Sequence, residues 1–380
     1  VPHPNVPDPG ADAGAPRFDV ACLGESMVTF RPVRPGRLAD VPAFDRGIGG
    51  AESNVACTLA RAGHRVQWIS RVGDDGFGAY LTREIERCGV DTSAVRRDPE
   101  RPTGIYFRTA GERATAEDAP EREGAPDGPL AEVAYYRAGS AASAMSPASM
   151  APYPDTAGTR VLHLSGITAA LSADCLALMR EMTARRPGRP LVSFDVNYRV
   201  NLWDDAAEAG ATLKELARGA DLVFVGEDEA EAAWGITGGP DAIRAALPEP
   251  AMLVVKQGST GATLFETTAD AGTGTGTSTA TGTKTYAPAL TVDVTAPVGA
   301  GDAFAAGFLS ATLRALPATQ RLRHGHLFAA AALTVPGDMA APPGHARAGR
   351  LAALSDADWG TLRLGPGWTM TGADGEVVTV

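Results

Sequence analysis

The stretch Val298-Gly299-Ala300-Gly301-Asp302-Ala303-Phe304 sets an acid directly behind two glycines and ahead of an apolar run. Phe304, Phe308, Leu309, Leu313 and Leu316 recur at helical spacing, which places Asp302 in the first turn of a helix. Gly299 and Gly301 are free to adopt positive φ and let the backbone approach a ligand closely. The free N–H groups and the dipole of the helix end then favour an anion. A carboxylate at an anion site needs a role of its own. One is chemical: Asp302 accepts a proton from a hydroxyl that attacks a phosphate held by the loop. The plainer alternative is that Asp302 caps the helix.

Such a loop has to be held by strands and helices around it. Phe18–Leu23 reads as a strand ending in Gly24-Glu25-Ser26, followed by an extended stretch from Met27 to Gly47. Gly49-Gly50 opens a helix, Ser53–Ala62, and Val66–Val72 is the next strand. Phe77, Leu81, Ile85 and Cys88 form one face of the helix after that. Strand and helix then alternate again through Val161–Leu164, Ala173–Ala184, Leu191–Asp195, Ala206–Arg218, Leu222–Val225 and Leu253–Lys256. This is the signature of a parallel sheet covered by helices. Residues 103–138 break the rhythm with two β-prone segments around an acidic, Pro/Gly-rich loop, Gly111–Pro129, and read as a hairpin with a long tip. The tract Thr267–Thr285, almost wholly Thr, Gly, Ala and Ser, reads as an expanded hairpin loop that cannot order itself.

Composition narrows the classes. Among 380 residues, 44% are apolar, enough for a large core, and the net charge of −11 leaves no basic stripe for nucleic acid. Cys22, Cys57, Cys88 and Cys175 are widely spaced and read as buried free thiols. No signal-like N-terminal run and no membrane-length apolar stretch stand out, so the expected compartment is the cytoplasm, with no membrane partner. No G-x-x-x-x-G-K-[ST] occurs, and Gly299-x-Gly301 lacks the third glycine and the first-strand position of a dinucleotide fingerprint. His324-x-His326 has the wrong spacing for two ligands on one helical face.

Gly49-Gly50-Ala51-Glu52-Ser53-Asn54-Val55-Ala56, Val72-Gly73-Asp74-Asp75-Gly76-Phe77-Gly78, Asp195-Val196-Asn197-Tyr198-Arg199 and Gly-Ala-Gly-Asp stand in one order along the chain. Together, from about Phe18 to about Pro343, they resemble the ribokinase-like (PfkB-type) carbohydrate kinases. Tyr135-Tyr136-Arg137, His163-Leu164-Ser165-Gly166-Ile167 and Pro297-Val298 look more closely like 2-keto-3-deoxygluconate kinases, with fructokinases close behind. The resemblance implies an α/β fold, a ribokinase-like three-layer sandwich with a central mostly parallel sheet and a small β-sheet lid. It also implies a kinase domain over 17–360, with the lid drawn from about 27–47 and 103–138. Residues 1–16 would be a disordered tail and 361–380 a C-terminal extension.

The same resemblance implies ATP as phosphoryl donor with Mg²⁺. Asp302 would be the base, and Gly299, Ala300 and Gly301 would offer N–H groups to the transferring phosphoryl group. Lys256, Gly258 and Gly261 would line the nucleotide, although a turn explains the glycines almost as well. His326 stands where related kinases tend to carry an Asn near the nucleotide. Glu229 would help hold hydrated Mg²⁺ through water; Gly226 replaces the Asn of that motif. Ala296 stands where an Asp is usual, which weakens a monovalent-cation site. Gly50, Asn54, Tyr106, Tyr135, Arg137, Arg199 and Asp338 would face the acceptor, with Asp338 equally readable as a turn residue. The guanidinium groups of Arg137 and Arg199 suit a carboxylate, because the fork donates two parallel hydrogen bonds. A sugar acid is therefore the first expectation and a neutral ketose the second. A sugar-binding regulator without turnover is the reading of another class. Lids of this family often pair between subunits, so a homodimer is expected.

Overall fold

The computed structural model describes residues 17–34, 36–109, 132–151, 158–268, 281–337 and 339–370. Its strands, in chain order, are β1 (Phe18–Leu23), β2 (Met27–Pro32), β3 (Phe44–Gly49), β4 (Val66–Gly73) and β5 (Val95–Asp98). There follow β6 (Ile105–Arg108), β7 (Val133–Tyr136), β8 (Thr159–Ser165), β9 (Leu191–Asp195) and β10 (Leu222–Gly226). The last are β11 (Met252–Lys256), β12 (Gly261–Thr268), β13 (Thr281–Pro288), β14 (Thr291–Val292) and β15 (Arg363–Leu364). Nine of them form the main sheet in the order β13-β12-β11-β10-β9-β8-β1-β4-β5. Pairing is parallel from β5 through β11 and antiparallel from β11 to β13. The expected α/β sandwich is present.

Side-chain alternation explains why helices cover both faces. Val20, Cys22, Leu222 and Phe224 point into one core, shared with Phe304 and Phe308 of the Ala300–Leu313 helix. Their neighbours Ala21, Leu23, Val223 and Val225 point into the other, shared with Leu213 and Leu216 of the Ala206–Gly219 helix. A strand buried on both faces has to read as an unbroken apolar run, as β10 does. All four cysteines are buried and free.

A second sheet, in the order β3-β2-β6-β7, stands apart from the first. Strand β2 pairs antiparallel with β3 and parallel with β6, and β6 pairs antiparallel with β7. This is the small sheet expected from 27–47 and 103–138. The chain passes from the main sheet to the small one through Gly24-Glu25-Ser26, between β1 and β2, and again between β5 and β6.

Two expectations need correction. Strands β12 and β13 run into the Thr/Gly tract, pairing as far as Thr267↔Gly282 and Thr268↔Thr281. Backbone ladder bonds and β-branched threonines extend a hairpin without needing apolar burial. Residues 269–280 lie outside the described residues, as do 1–16 and the 111–129 loop. The segment from residue 361 to 370 is no appendage: β15 pairs with β14, and Leu362 and Leu364 are buried beside Trp359 in a third core cluster.

Candidate active site

The Gly-rich loop enters its helix as expected. Gly299 holds the N-cap in the left-handed region, at φ 70° and ψ 2°, and the helix runs Ala300–Leu313 with Asp302 in its first turn. Gly301 departs from expectation, since it is already helical and needs no positive φ. Its missing side chain matters for another reason: a Cβ there would lie 3.7 Å from Lys256 Nζ. Asn54 Nδ2 donates to Asp302 Oδ2 at 2.9 Å and so fixes the carboxylate from the facing Ala51–Arg61 helix. That helix starts tight against the crossing to the small sheet. A Cβ on Gly50 would come within 2.4 Å of the Glu25 carbonyl oxygen and 2.7 Å of Ser26 Cα. Packing of backbone on backbone therefore requires Gly50, whether or not a sugar also approaches it.

Lys256, at the end of β11, lies at the centre of the charged groups. Its ammonium is 3.1 and 3.2 Å from the two carboxylate oxygens of Asp195, at the end of β9, and 3.9 Å from Glu229 Oε2. Burial works to lower its pKa, but Asp195, Glu229 and Asp302 together outweigh it and hold the pKa above the ordinary lysine value. A permanent positive charge thus stands beside the Gly-rich loop. Glu229 Oε2 also accepts the Gly226 N–H at 2.7 Å, and its Oε1 lies 3.9 Å from Arg199 Nη1. Gly226 has a spatial reason as well, since a Cβ there would meet Asp228 Oδ1 at 2.3 Å. Among the described residues no three His, Cys, Asp or Glu side chains are grouped to hold a metal. Mg²⁺ keeps several waters and needs only one or two carboxylates beside phosphate oxygens. Glu229, a carboxylate buried at the edge of the loop, fits that mode.

The small sheet contributes a second set. Tyr106 and Tyr135 face each other across β6 and β7, with ring centroids 5.4 Å apart. Arg137, just past β7, carries its guanidinium 5.7 Å from the Tyr135 ring centroid and forms an ion pair with Glu25. The two sets are joined in space, because Ser53 Oγ donates to Ser26 Oγ at 2.8 Å next to Gly50. Other expected residues lie elsewhere or have other partners. His326 Nε2 meets the Ala287 carbonyl at 3.2 Å, its ring packs on Phe304, and burial lowers its pKa to about 4. The polar end of His326 is thereby used inside the fold. Gly258 and Gly261 form the β11–β12 turn at φ 57° and 158°. Asp338 lies outside the described residues.

Sequence reasoning gave no role to three acids. Asp195 appears as the end of an apolar strand and the start of the Asp195–Arg199 motif, with no role of its own, yet it holds Lys256. Glu25 appears only within Gly24-Glu25-Ser26 at the end of a strand. Glu52 is fully buried, accepts hydrogen bonds from Ser165 Oγ at 2.8 Å and Thr168 Oγ1 at 2.7 Å, and is pushed by burial to a pKa of about 7. An acid among the small residues Gly50, Ala51 and Ser53 at a helix start was the available signal for Glu52.

The chain is similar to known proteins over most of its length. The chain is 35% identical to the 2-dehydro-3-deoxygluconokinase of Bacillus subtilis (strain 168) over 328 residues, covering 85% of this chain and 92% of that one. It is 30% identical over 336 residues to the enzyme of the same name from Thermoproteus tenax, covering 88% and 94%. Among solved structures, the PfkB protein from Polaromonas sp. JS666 superposes with a TM-score of 0.70 at 31% identity, covering 89% of this chain and all of that one. The model of the pfkB family carbohydrate kinases matches residues 17–344. With Asn54 and Asp302 locked together at the Gly-rich helix start and Lys256 beside them, the chain belongs to the pfkB family of carbohydrate kinases and is a sugar kinase.

Proposed function

We propose that the protein transfers the γ-phosphoryl group of ATP to a hydroxyl of 2-keto-3-deoxygluconate. The observation that carries this is the Asn54–Asp302 hydrogen bond at the mouth of the Gly-rich helix, with the Lys256 ammonium alongside. Asp302 accepts the acceptor's hydroxyl proton as the oxygen bonds to the γ-phosphorus, and the bond from that phosphorus to ADP breaks. In a loose phosphoryl-transfer transition state the proton leaves late, so a carboxylate is basic enough. The N–H groups at Gly299, Ala300 and Gly301 and the charge of Lys256 meet the growing negative charge. Mg²⁺, when bound, neutralises phosphate charge; Glu229 would hold it through water. Gly258 and Gly261 shape the turn along which ATP lies.

On the acceptor side, Tyr106, Tyr135, Arg137 and Arg199 surround the sugar, and one or both guanidinium groups take its carboxylate. The similarity to two 2-dehydro-3-deoxygluconokinases supports this substrate. Fructose is the second reading, favoured by one observation: Arg137 already has a carboxylate partner in Glu25. Strand β7 is an edge of the small sheet with Tyr136 63% exposed, a surface suited to pairing two copies through their lids. We place the enzyme in the cytoplasm; among the described residues no helix is long and apolar enough to cross a membrane. The test is ADP release with a panel of 2-keto-3-deoxygluconate, fructose, ribose and gluconate. A clear kcat/KM preference for 2-keto-3-deoxygluconate is expected. Preference for fructose overturns the substrate, and no ADP release with any sugar favours a binding protein without turnover.

A further inference from the structure

Glu25 sits in the crossing from β1 of the main sheet to β2 of the small one, and its side chain is 2% exposed. Its carboxylate receives Arg137 Nη2 and, at 3.3 Å, the Ser140 hydroxyl. Gly104 leaves it room, since a Cβ there would come within 3.2 Å of Glu25 Oε1. Arg137 is itself only 11% exposed, and its Nε–H is buried with no acceptor. A guanidinium has five donors in a fixed plane, so holding one of them aims the others. Here one Nη is committed to Glu25, and the Nε–H is enclosed in the fold without an acceptor.

We propose that Glu25 is a positioning residue that sets acceptor affinity: it fixes the Arg137 guanidinium so that its remaining donors meet the acceptor. This inference rests on the reading of Arg137 as an acceptor contact. Glu25 touches neither ATP nor the reacting hydroxyl. Its effect therefore falls on the KM for the acceptor and not on the KM for ATP or on kcat. A carboxylate that merely latched the small sheet to the body would change stability, or all kinetic constants together.

The experiment compares Glu25→Gln, Arg137→Gln and the double variant with wild type, using whichever of 2-keto-3-deoxygluconate or fructose the wild type phosphorylates. Glu25→Gln should raise acceptor KM by about tenfold, the scale of one well-placed hydrogen bond to a charged group, with kcat and KM for ATP within about twofold. The double variant should be no worse than Arg137→Gln alone, because Glu25 acts through Arg137. Breaking a buried pair endangers folding. Glu25→Asp is therefore the companion variant: it keeps the charge, retracts the carboxylate by one methylene and should shift acceptor KM the same way at near-normal melting temperature. If Arg137→Gln leaves acceptor KM unchanged, the acceptor role of Arg137 falls, and this inference with it. If Arg137→Gln raises KM but the Glu25 variants do not, or if the two effects multiply in the double variant, Glu25 alone loses its role.

Discussion

Glu52 offers a test whose sign and size follow from its surroundings. It lies in the first turn of the Ala51–Arg61 helix, two residues before Asn54, and is fully buried. The site is shaped around it: a Cβ on Gly24 would come within 2.1 Å of its carboxyl carbon. Burial raises its pKa, and the hydroxyls of Thr168 and Ser165, which donate to one oxygen, only partly offset this. The other oxygen has no partner. The Glu25 carboxylate nearby adds repulsion, so the folded-state pKa stands at about 7 against 4.5 for the free group. The native state therefore holds this proton more tightly than the unfolded chain does. Its contribution to stability is complete below pH 4.5 and is lost as pH rises through about 7. At about 1.4 kcal/mol per pKa unit, the loss comes to about 3 kcal/mol, a sizeable share of a typical 5–15 kcal/mol fold. Glu52→Gln keeps the shape and the two accepted hydrogen bonds but cannot ionise. Urea unfolding of both proteins between pH 4.5 and 8.5 isolates the term, because every other titration cancels in the difference. The variant should gain on wild type steadily with pH, by about 3 kcal/mol over the range. A difference that stays level across the range would mean that Glu52 titrates as an ordinary carboxyl group, and the reasoning from burial would be wrong.

Replacing Asp302 by Asn keeps its size and its hydrogen bond from Asn54 but removes the base; kcat should fall by about 10²–10⁴, with ATP binding retained in calorimetry. Near-normal turnover in the folded variant would reduce Asp302 to a helix cap. Lys256→Met leaves Asp195 buried without its counter-charge and should destabilise the protein by about 3–5 kcal/mol in chemical unfolding. Adding Asp195→Asn should recover most of that loss; failure to recover it would show that the two side chains are not a coupled pair. Replacing residues 269–280 by a short turn should leave melting temperature and KM for ATP nearly unchanged, because loop length adds little closure entropy. A large rise in KM for ATP would instead give the tract a role over the nucleotide.

What the sequence made legible was whatever is encoded between near neighbours. Gly299, the Asp302 turn and the apolar spacing behind it lie in one short stretch, and the structure builds them there. The parallel sheet was legible for the same reason, since each strand carries its own apolar run and each helix its own stripe. The Gly301 expectation failed by a single step, because the helix begins at Ala300 and includes it. The tract was misjudged at its edges because ladder hydrogen bonds belong to the backbone and leave no mark in side-chain polarity.

The acids that position charge were opaque because their partners are remote. Lys256 and Asp195 are 61 residues apart, Glu25 and Arg137 112, and Glu52 and Thr168 116. No local pattern states such a pairing; only the crossover topology does, by bringing the ends of β9 and β11 and the β1–β2 crossing to one side of the sheet. The two halves of the site differ in this respect. The phosphoryl side is centred on a loop and a helix start that are continuous in the chain, with Asn54 and Lys256 brought to it from elsewhere. On the proposed acceptor side, Glu25, Ser140 and Arg137 meet across the junction of two sheets. With Arg137 at the acceptor as proposed, a substitution at Glu25 would reach acceptor choice without touching Gly299, Ala300, Gly301 or Asp302. On that reading, acceptor selectivity resides in side chains as distant in sequence as Glu25 and Arg137, while the Gly-Ala-Gly-Asp helix stays the same.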